Sequence, residues 1–201
     1  MYIPAAFAES DLATLHDMME QHSFALLVSQ HEGQPFASHL PLLLDRQAGP
    51  QGTLIGHMAR ANPHWQTAAG QEVLVVFAGP HAYISPAWYE VEHVVPTWNY
   101  VAVHAYGPLA LVEESSALTD ILHQFVQTYE RSMPKPWELK GSNAYLDRML
   151  SQIVGFRIPV ARLEGKRKLN QNHPPERRRK VIRVLRERGD ETMAKLIEET
   201  L

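Results

Sequence analysis

Cysteine is absent from the 201-residue chain. That excludes disulfides, thiolate nucleophiles, iron–sulfur clusters and cysteine zinc sites. No apolar run approaches the ~18 residues that a membrane-spanning helix needs. The opening MYIPAAFAESDL has neither a basic n-region nor a long apolar h-region, so no secretory signal is expected and a cytoplasmic protein is. Neither GxGxxG nor GxxxxGK[ST] occurs, so any nucleotide phosphate must rest on side-chain cations and a few backbone amides. GxSxG is missing too, which leaves nucleophilic catalysis without support. Cations themselves are scarce in the middle of the chain: Arg60 is the only Lys or Arg between Arg46 and Arg131.

What is present is an ordinary globular composition, 45% hydrophobic and 20% charged, enough for one domain with a small appendage. The formal net charge of −3 hides an asymmetry. Residues 157–188 carry twelve Lys/Arg against three acids, whereas residues 1–156 carry six against fifteen. Such a split raises an anionic partner for the basic part, against the plainer reading of a solvated helix face.

Ser10 as N-cap and Leu12, Leu15, Met18 and Met19 at helical spacing predict a first helix ending near Gln21. Strands are expected at Phe24–Ser29, at Phe36–Leu44 with Pro41 at an edge or bulge, and at Thr53–Ala59. Asn62 and Pro63 open a short helix to Ala69. A buried strand follows at Glu72–Ala78, broken by Gly79-Pro80 before a short extension at Tyr83–Ser85. The next runs from Thr97 to Glu113, interrupted or bulged at Gly107-Pro108. Helices are expected at Ser116–Arg131 and Ala144–Gln152, joined by a Pro/Trp/Gly-rich connection, and a last strand at Phe156–Leu163. A helical pair over 176–188 and 191–200, split at Gly189, closes the chain. Together these describe an α+β domain around a small barrel, with 1–172 as the main domain and 173–201 as a helical extension.

Two stretches invite chemistry. In Gly56–Trp65, GHMARANPHW, the isolated Arg60 suits one particular anion or one distant carboxylate, and no acid lies within ten residues of it. Its planar fork pairs bidentately with phosphate oxygens. In Gly165–Asn172, GKRKLNQN, three cations stand among three side-chain amides. Eight of the seventeen aromatics fall between Trp65 and Tyr106, and those in SPAWY and PTWNY stand among loop residues, where ring ligands or subunit contacts are served. The histidines His39, His57, His81 and His104 show no zinc spacing, so no metal is expected, although a haem needs only one imidazole.

The words MYIP, SHLPLLL (Ser38–Leu44), GHMARANPHW, VFAGPHAYISPAWY (Val76–Tyr89), VPTWNYVAVHAYG (Val95–Gly107), IVGFRI (Ile153–Ile158) and LEGKRKLNQN (Leu163–Asn172) run in order through nearly the whole chain. They resemble the PaiB-type FMN-binding proteins, described as negative transcriptional regulators, of the flavin split-barrel superfamily. The resemblance implies a six-stranded antiparallel split β-barrel with flanking helices, a homodimer, and FMN at the subunit interface. It places Ser38, His39 and Leu40 along the isoalloxazine and His57, Met58, Ala59 and Arg60 at the ribityl phosphate, with Asn62 also among the cofactor-binding residues. Trp98, Asn99 and Tyr100 come from the second subunit, with Lys168 and Gln171 from the C-terminal motif. Arg60 stands alone there, which argues against a second phosphorylated ligand. The helix at 191–201 is net acidic and a poor recognition helix, so base readout is not expected and regulation would pass through a protein partner. A flavin-dependent oxidoreductase and a haem-binding or haem-degrading protein are the other functions the superfamily implies.

Overall fold

The structure is a computed structural model that describes residues 1–139 and 144–201. The end of the predicted Pro/Trp/Gly-rich connection, with Gly141, lies outside the described residues. The elements run β1 (Ala8–Glu9), α1 (Leu12–Gln21), β2 (Phe24–His31), β3 (Gln34–Pro41), β4 (Leu43–Asp45), β5 (Thr53–Ala59) and α2 (His64–Ala68). They continue with β6 (Glu72–Ile84), β7 (Thr97–Pro108), β8 (Ala110–Val112), α3 (Ser115–Glu130) and α4 (Ala144–Leu150). The last are β9 (Ile153–Pro159), β10 (Arg162–Lys168), α5 (Pro175–Glu187) and α6 (Glu191–Glu198). One sheet of six strands has the order β1-β10-β7-β6-β2-β3 and a second has the order β4-β5-β9-β8. The fold class is the expected one, an α+β split barrel with flanking helices and a C-terminal helical pair.

Several boundaries differ from the sequence reading, each for a physical reason. Asp11, not Ser10, caps α1, because its Oδ2 accepts from Thr14 N at 2.8 Å. The strand expected over 36–44 is two strands in different sheets. Leu42, buried between them, donates its N–H to Ser23 O at 2.9 Å. The strand expected over 97–113 is interrupted where Gly107-Pro108 suggests, dividing at buried Leu109, whereas the last strand is two, β9 and β10, divided at Val160-Ala161. Gly79-Pro80 does not end β6; the strand continues, and only its burial parity changes, from Val73, Val75 and Phe77 to Ile84. β10 runs on through Gly165–Lys168, past the end expected for the last strand at Leu163.

The chain divides into two compact units. One holds Met1–Met18, Phe77–His104 and Glu164–Leu201; the other holds Met19–Val76 and Ala105–Leu163. In the second, β2 and β3 form a hairpin in register Leu27↔Ser38, turned by Glu32 and Gly33, both at positive φ. β5 pairs with β9 along its length, His57 opposite Gly155. Helix α3 lays Ile121 and Phe125 against Ile55, and Leu118 against Leu146 and Leu150 of α4. In the first, Ala8 and Glu9 pair with Lys166 and Gly165. Helices α5 and α6 bury Val181, Ile182, Leu185, Met193 and Ile197.

Candidate functional site

Asn62 and His64, both within GHMARANPHW, build an enclosed polar cluster. The turn that follows β5 is closed by Asn62 N donating to Ala59 O at 2.9 Å. It leaves the Asn62 side chain working in two directions. Its Oδ1 accepts from His64 N at 3.1 Å and its Nδ2 donates to Ser38 Oγ at 3.0 Å. The His64 ring is fully buried, with Nδ1 2.9 Å from Ser38 Oγ and Nε2 2.8 Å from Ser29 Oγ. Phe36 packs edge-on against it, centroids 4.8 Å apart. Burial holds the ring below the ordinary histidine range, and the nearby His31 adds to the effect. A neutral imidazole has one donor and one acceptor. One serine hydroxyl therefore donates to the ring and the other accepts from it, and Ser38 Oγ, with two acceptor lone pairs, takes the Asn62 amide proton in either tautomer.

Arg60 ends β5 with its side chain partly engaged. Nε donates to Ser151 O at 2.8 Å and Nη2 to Ile153 O at 2.9 Å, while Arg60 N donates to Gln152 O at 2.8 Å. Trp65 fixes the other side, its Nε1 donating to Arg60 O at 3.0 Å with the guanidinium 5.9 Å from its ring. Nη1 has no hydrogen-bond partner among the described residues. Arg60 and Trp65 border a cleft of about 480 Å³ floored by Leu118, Leu150 and Val154, which also contains Glu113 and Asp147. Those carboxylates make the cleft itself a poor place for a phosphate, so Nη1 is what Arg60 offers an anion.

Strand alternation separates the other expected residues of this unit. Ser38 and Leu40 face inward from β3, whereas His39 faces outward, 6.2 Å from the Phe24 ring. Met58 is buried, Ala59 is exposed, and His57 lies edge-on to Phe125 at 4.9 Å. Its Nδ1 has no partner among the described residues, and burial holds its ring below the ordinary range.

The remaining expected residues lie in the first unit, and alternation divides them as well. Trp98 is exposed, meeting Tyr83 edge-on at 5.8 Å and His81 at 6.1 Å. Tyr100 shares that face, with the Lys166 ammonium 5.1 Å from its ring. Asn99 points to the opposite, core face, fully buried, and neither amide atom has a partner among the described residues. Lys168 donates to Thr97 Oγ1 at 2.6 Å. Gln171 ties down the end of β10, accepting from Leu169 N and donating to Arg167 O. Two residues with polar roles went unmarked in the sequence. His64 lies 35 and 26 residues from its serines, too far for any local pattern. Lys166, buried with its Nζ on Tyr2 O at 3.0 Å, is one of three neighbouring cations that nothing in GKRKLNQN tells apart. Among the described residues no group of three or more His, Asp or Glu is placed to hold a metal.

Comparison with known proteins adds the following. Residues 1–162 match the sequence profile of the family described as "Putative FMN-binding domain"; the match stops before Lys168 and Gln171. The chain is 37% identical over 207 residues to the "Protease synthase and sporulation protein PAI 2" of Bacillus subtilis, covering 100% of this chain and 98% of that protein. An uncharacterised protein of Aspergillus fumigatus is 28% identical over 253 residues, covering 99% and 97%. Among solved structures, the flavocytochrome Anf3 of Azotobacter vinelandii superposes with a TM-score of 0.61 at 16% identity, over 80% of this chain and 69% of that one. The FAD and heme binding protein of Mycobacterium smegmatis gives 0.57 at 13%, over 80% and 73%. At these identities the two structures speak for the fold.

Proposed function

The chain belongs to the "Putative FMN-binding domain" family, in its PaiB type, and from that premise we propose that it is a homodimeric, cytoplasmic FMN protein of the regulatory kind. The observation that carries the reading is Arg60. Its carbonyl bonds hold the guanidinium in place and leave Nη1 for the FMN phosphate. Ser38 and Asn62 then stand along the isoalloxazine and ribityl chain, with His39, Leu40, His57, Met58 and Ala59 supplying backbone and wall. A second copy contributes Trp98, Tyr100, Lys168 and Gln171, with Asn99 supporting them from the core side. Residues 1–172 form the flavin domain and 173–201 an extension. Bound FMN supplies hydride and single-electron chemistry.

The Bacillus subtilis relative is named for protease synthesis and sporulation, two cellular programmes rather than one reaction, which supports regulation through a protein partner over turnover of a substrate. A flavin-dependent oxidoreductase is the second reading, favoured by the exposed Trp98 with Tyr83 and His81 beside it, a surface open to a flat substrate. No described helix is long and apolar enough to cross a membrane. Reconstitution tests the reading. The purified protein takes up FMN with a stoichiometry of one per chain and sediments at twice 22.8 kDa. Failure to bind FMN overturns it, a Soret band from bound haem overturns the cofactor, and a monomer at micromolar concentration overturns the interface site. Oxidation of NAD(P)H that requires FMN would favour the enzyme.

A further inference from the structure

We propose that His64 is a positioning residue for the flavin: it sets FMN affinity through Ser38 and Asn62 without touching the cofactor. The inference rests on the reading that Ser38 and Asn62 line the flavin. A serine hydroxyl and an asparagine amide each have several rotamers in the absence of a partner, and fixing them on binding costs affinity. Here they are fixed beforehand. Ser38 is 8% exposed and the His64 ring 0%, and the chain Asn62 Nδ2 to Ser38 Oγ to His64 Nδ1 has steps of 3.0 and 2.9 Å. Phe36 stands against the ring and limits its rotation, while Nε2 faces the core, 2.8 Å from Ser29 Oγ. The peptide of residue 64 is tied as well, its N–H to Asn62 Oδ1 and its carbonyl to Thr67 Oγ1, which also meets His31 Nδ1. His64 thus has one arm toward the proposed ligand side and one toward the core. A residue that served the core alone would need no link to Asn62.

The two arms can be cut separately. An asparagine at 64 keeps an amide near the Nδ1 position and loses the Ser29 arm; a glutamine keeps one near Nε2 and loses the Ser38 arm. FMN affinity is read by quenching of flavin fluorescence, and stability by thermal unfolding of the apoprotein. Wild type binds FMN, and Ser38→Ala weakens binding about tenfold or more, the loss expected of one buried hydrogen bond. His64→Asn stays within about threefold of wild type and His64→Gln falls about tenfold or more, while both lower Tm. Should either fail to fold, Ser29→Ala cuts the core arm alone, and is expected to lower Tm while leaving FMN affinity within about threefold. Equal affinities for the Asn and Gln variants, or a Ser29→Ala loss as large as that of Ser38→Ala, overturn the proposal. Unchanged binding by Ser38→Ala overturns it as well, with FMN binding itself intact. Wild type that takes up no FMN overturns the underlying reading instead.

Discussion

The Arg60 guanidinium reaches Ser151 O and Ile153 O with two of its three nitrogens, so replacing it does two things. Arg60→Ala leaves two exposed carbonyls to water, a loss of about 1 kcal/mol that lowers Tm by roughly 2–4 °C. It also removes the donor assigned to the FMN phosphate, and a charge-assisted bond of about 1.5–3 kcal/mol corresponds to FMN binding weakened by roughly 10- to 100-fold. Arg60→Lys separates the effects. The ammonium can serve the phosphate or the carbonyls but cannot span both as the planar fork does, so affinity recovers in part while Tm does not. Calorimetry with fluorescence titration of the two variants checks this, and unchanged FMN affinity in Arg60→Ala removes Arg60 from the site.

Strands rather than helices decided how much was legible in the sequence. Thr53–Ala59 was marked by Gly52 before it and the Asn62-Pro63 turn after it, and β5 has those bounds. The helical pair was marked by Pro175 and by Gly189, whose φ is +83°. The passages from β3 to β4, β7 to β8 and β9 to β10 each follow a proline, Pro41, Pro108 and Pro159, which fits an edge or a bulge as well as a break. Leu42, Leu109 and Val160 beyond them are buried apolar residues that read as more strand. Partners were harder still: Ser38, Asn62 and His64 all fall in recognisable words, but that His64 joins Ser38 to Ser29 is defined only by tertiary contact. Gly107 shows the same limit, since a Pro-flanked glycine reads as a bulge. In the structure, a Cβ there would stand 2.1 Å from Pro159 O. Gly107→Ala therefore forces β7 and β9 apart, at a cost of about 3 kcal/mol or more and a Tm lower by roughly 6–12 °C. Gly33→Ala meets open space and loses only ~1–2 kcal/mol through its positive φ. Equal melting temperatures for the two variants would show that the β7–β9 approach is not tight.

Across the molecule, part of the basic excess is answered from within the chain. Lys180 and Arg183 meet Glu90, Arg186 meets Glu191 and Glu198, and Arg167 meets Glu9 and Glu199. Titration has a direction at this scale too. Burial is the leading cause that holds His22, His57, His64, His104 and His173 below the ordinary histidine value. As pH falls below about 6.5, the unfolded chain takes up protons at these rings before the folded one does. Stability is therefore full above that pH and is lost as the solution is acidified toward the folded values. Urea midpoints measured between neutral and mildly acidic pH should fall steadily; a flat profile would mean that the folded rings take up protons as readily as the unfolded ones.

The pairing of Ala8 and Glu9 with Lys166 and Gly165 also sets an order of assembly during synthesis. Residues 19–76 and 105–163 can meet as soon as position 163 has emerged from the ribosome, whereas the opening strand must wait for a partner 158 positions behind it. The nascent chain thus holds residues 8 and 9 unpaired until residues 165 and 166 have emerged, and a stop codon soon after residue 163 would release a product in which that strand has nothing to close on.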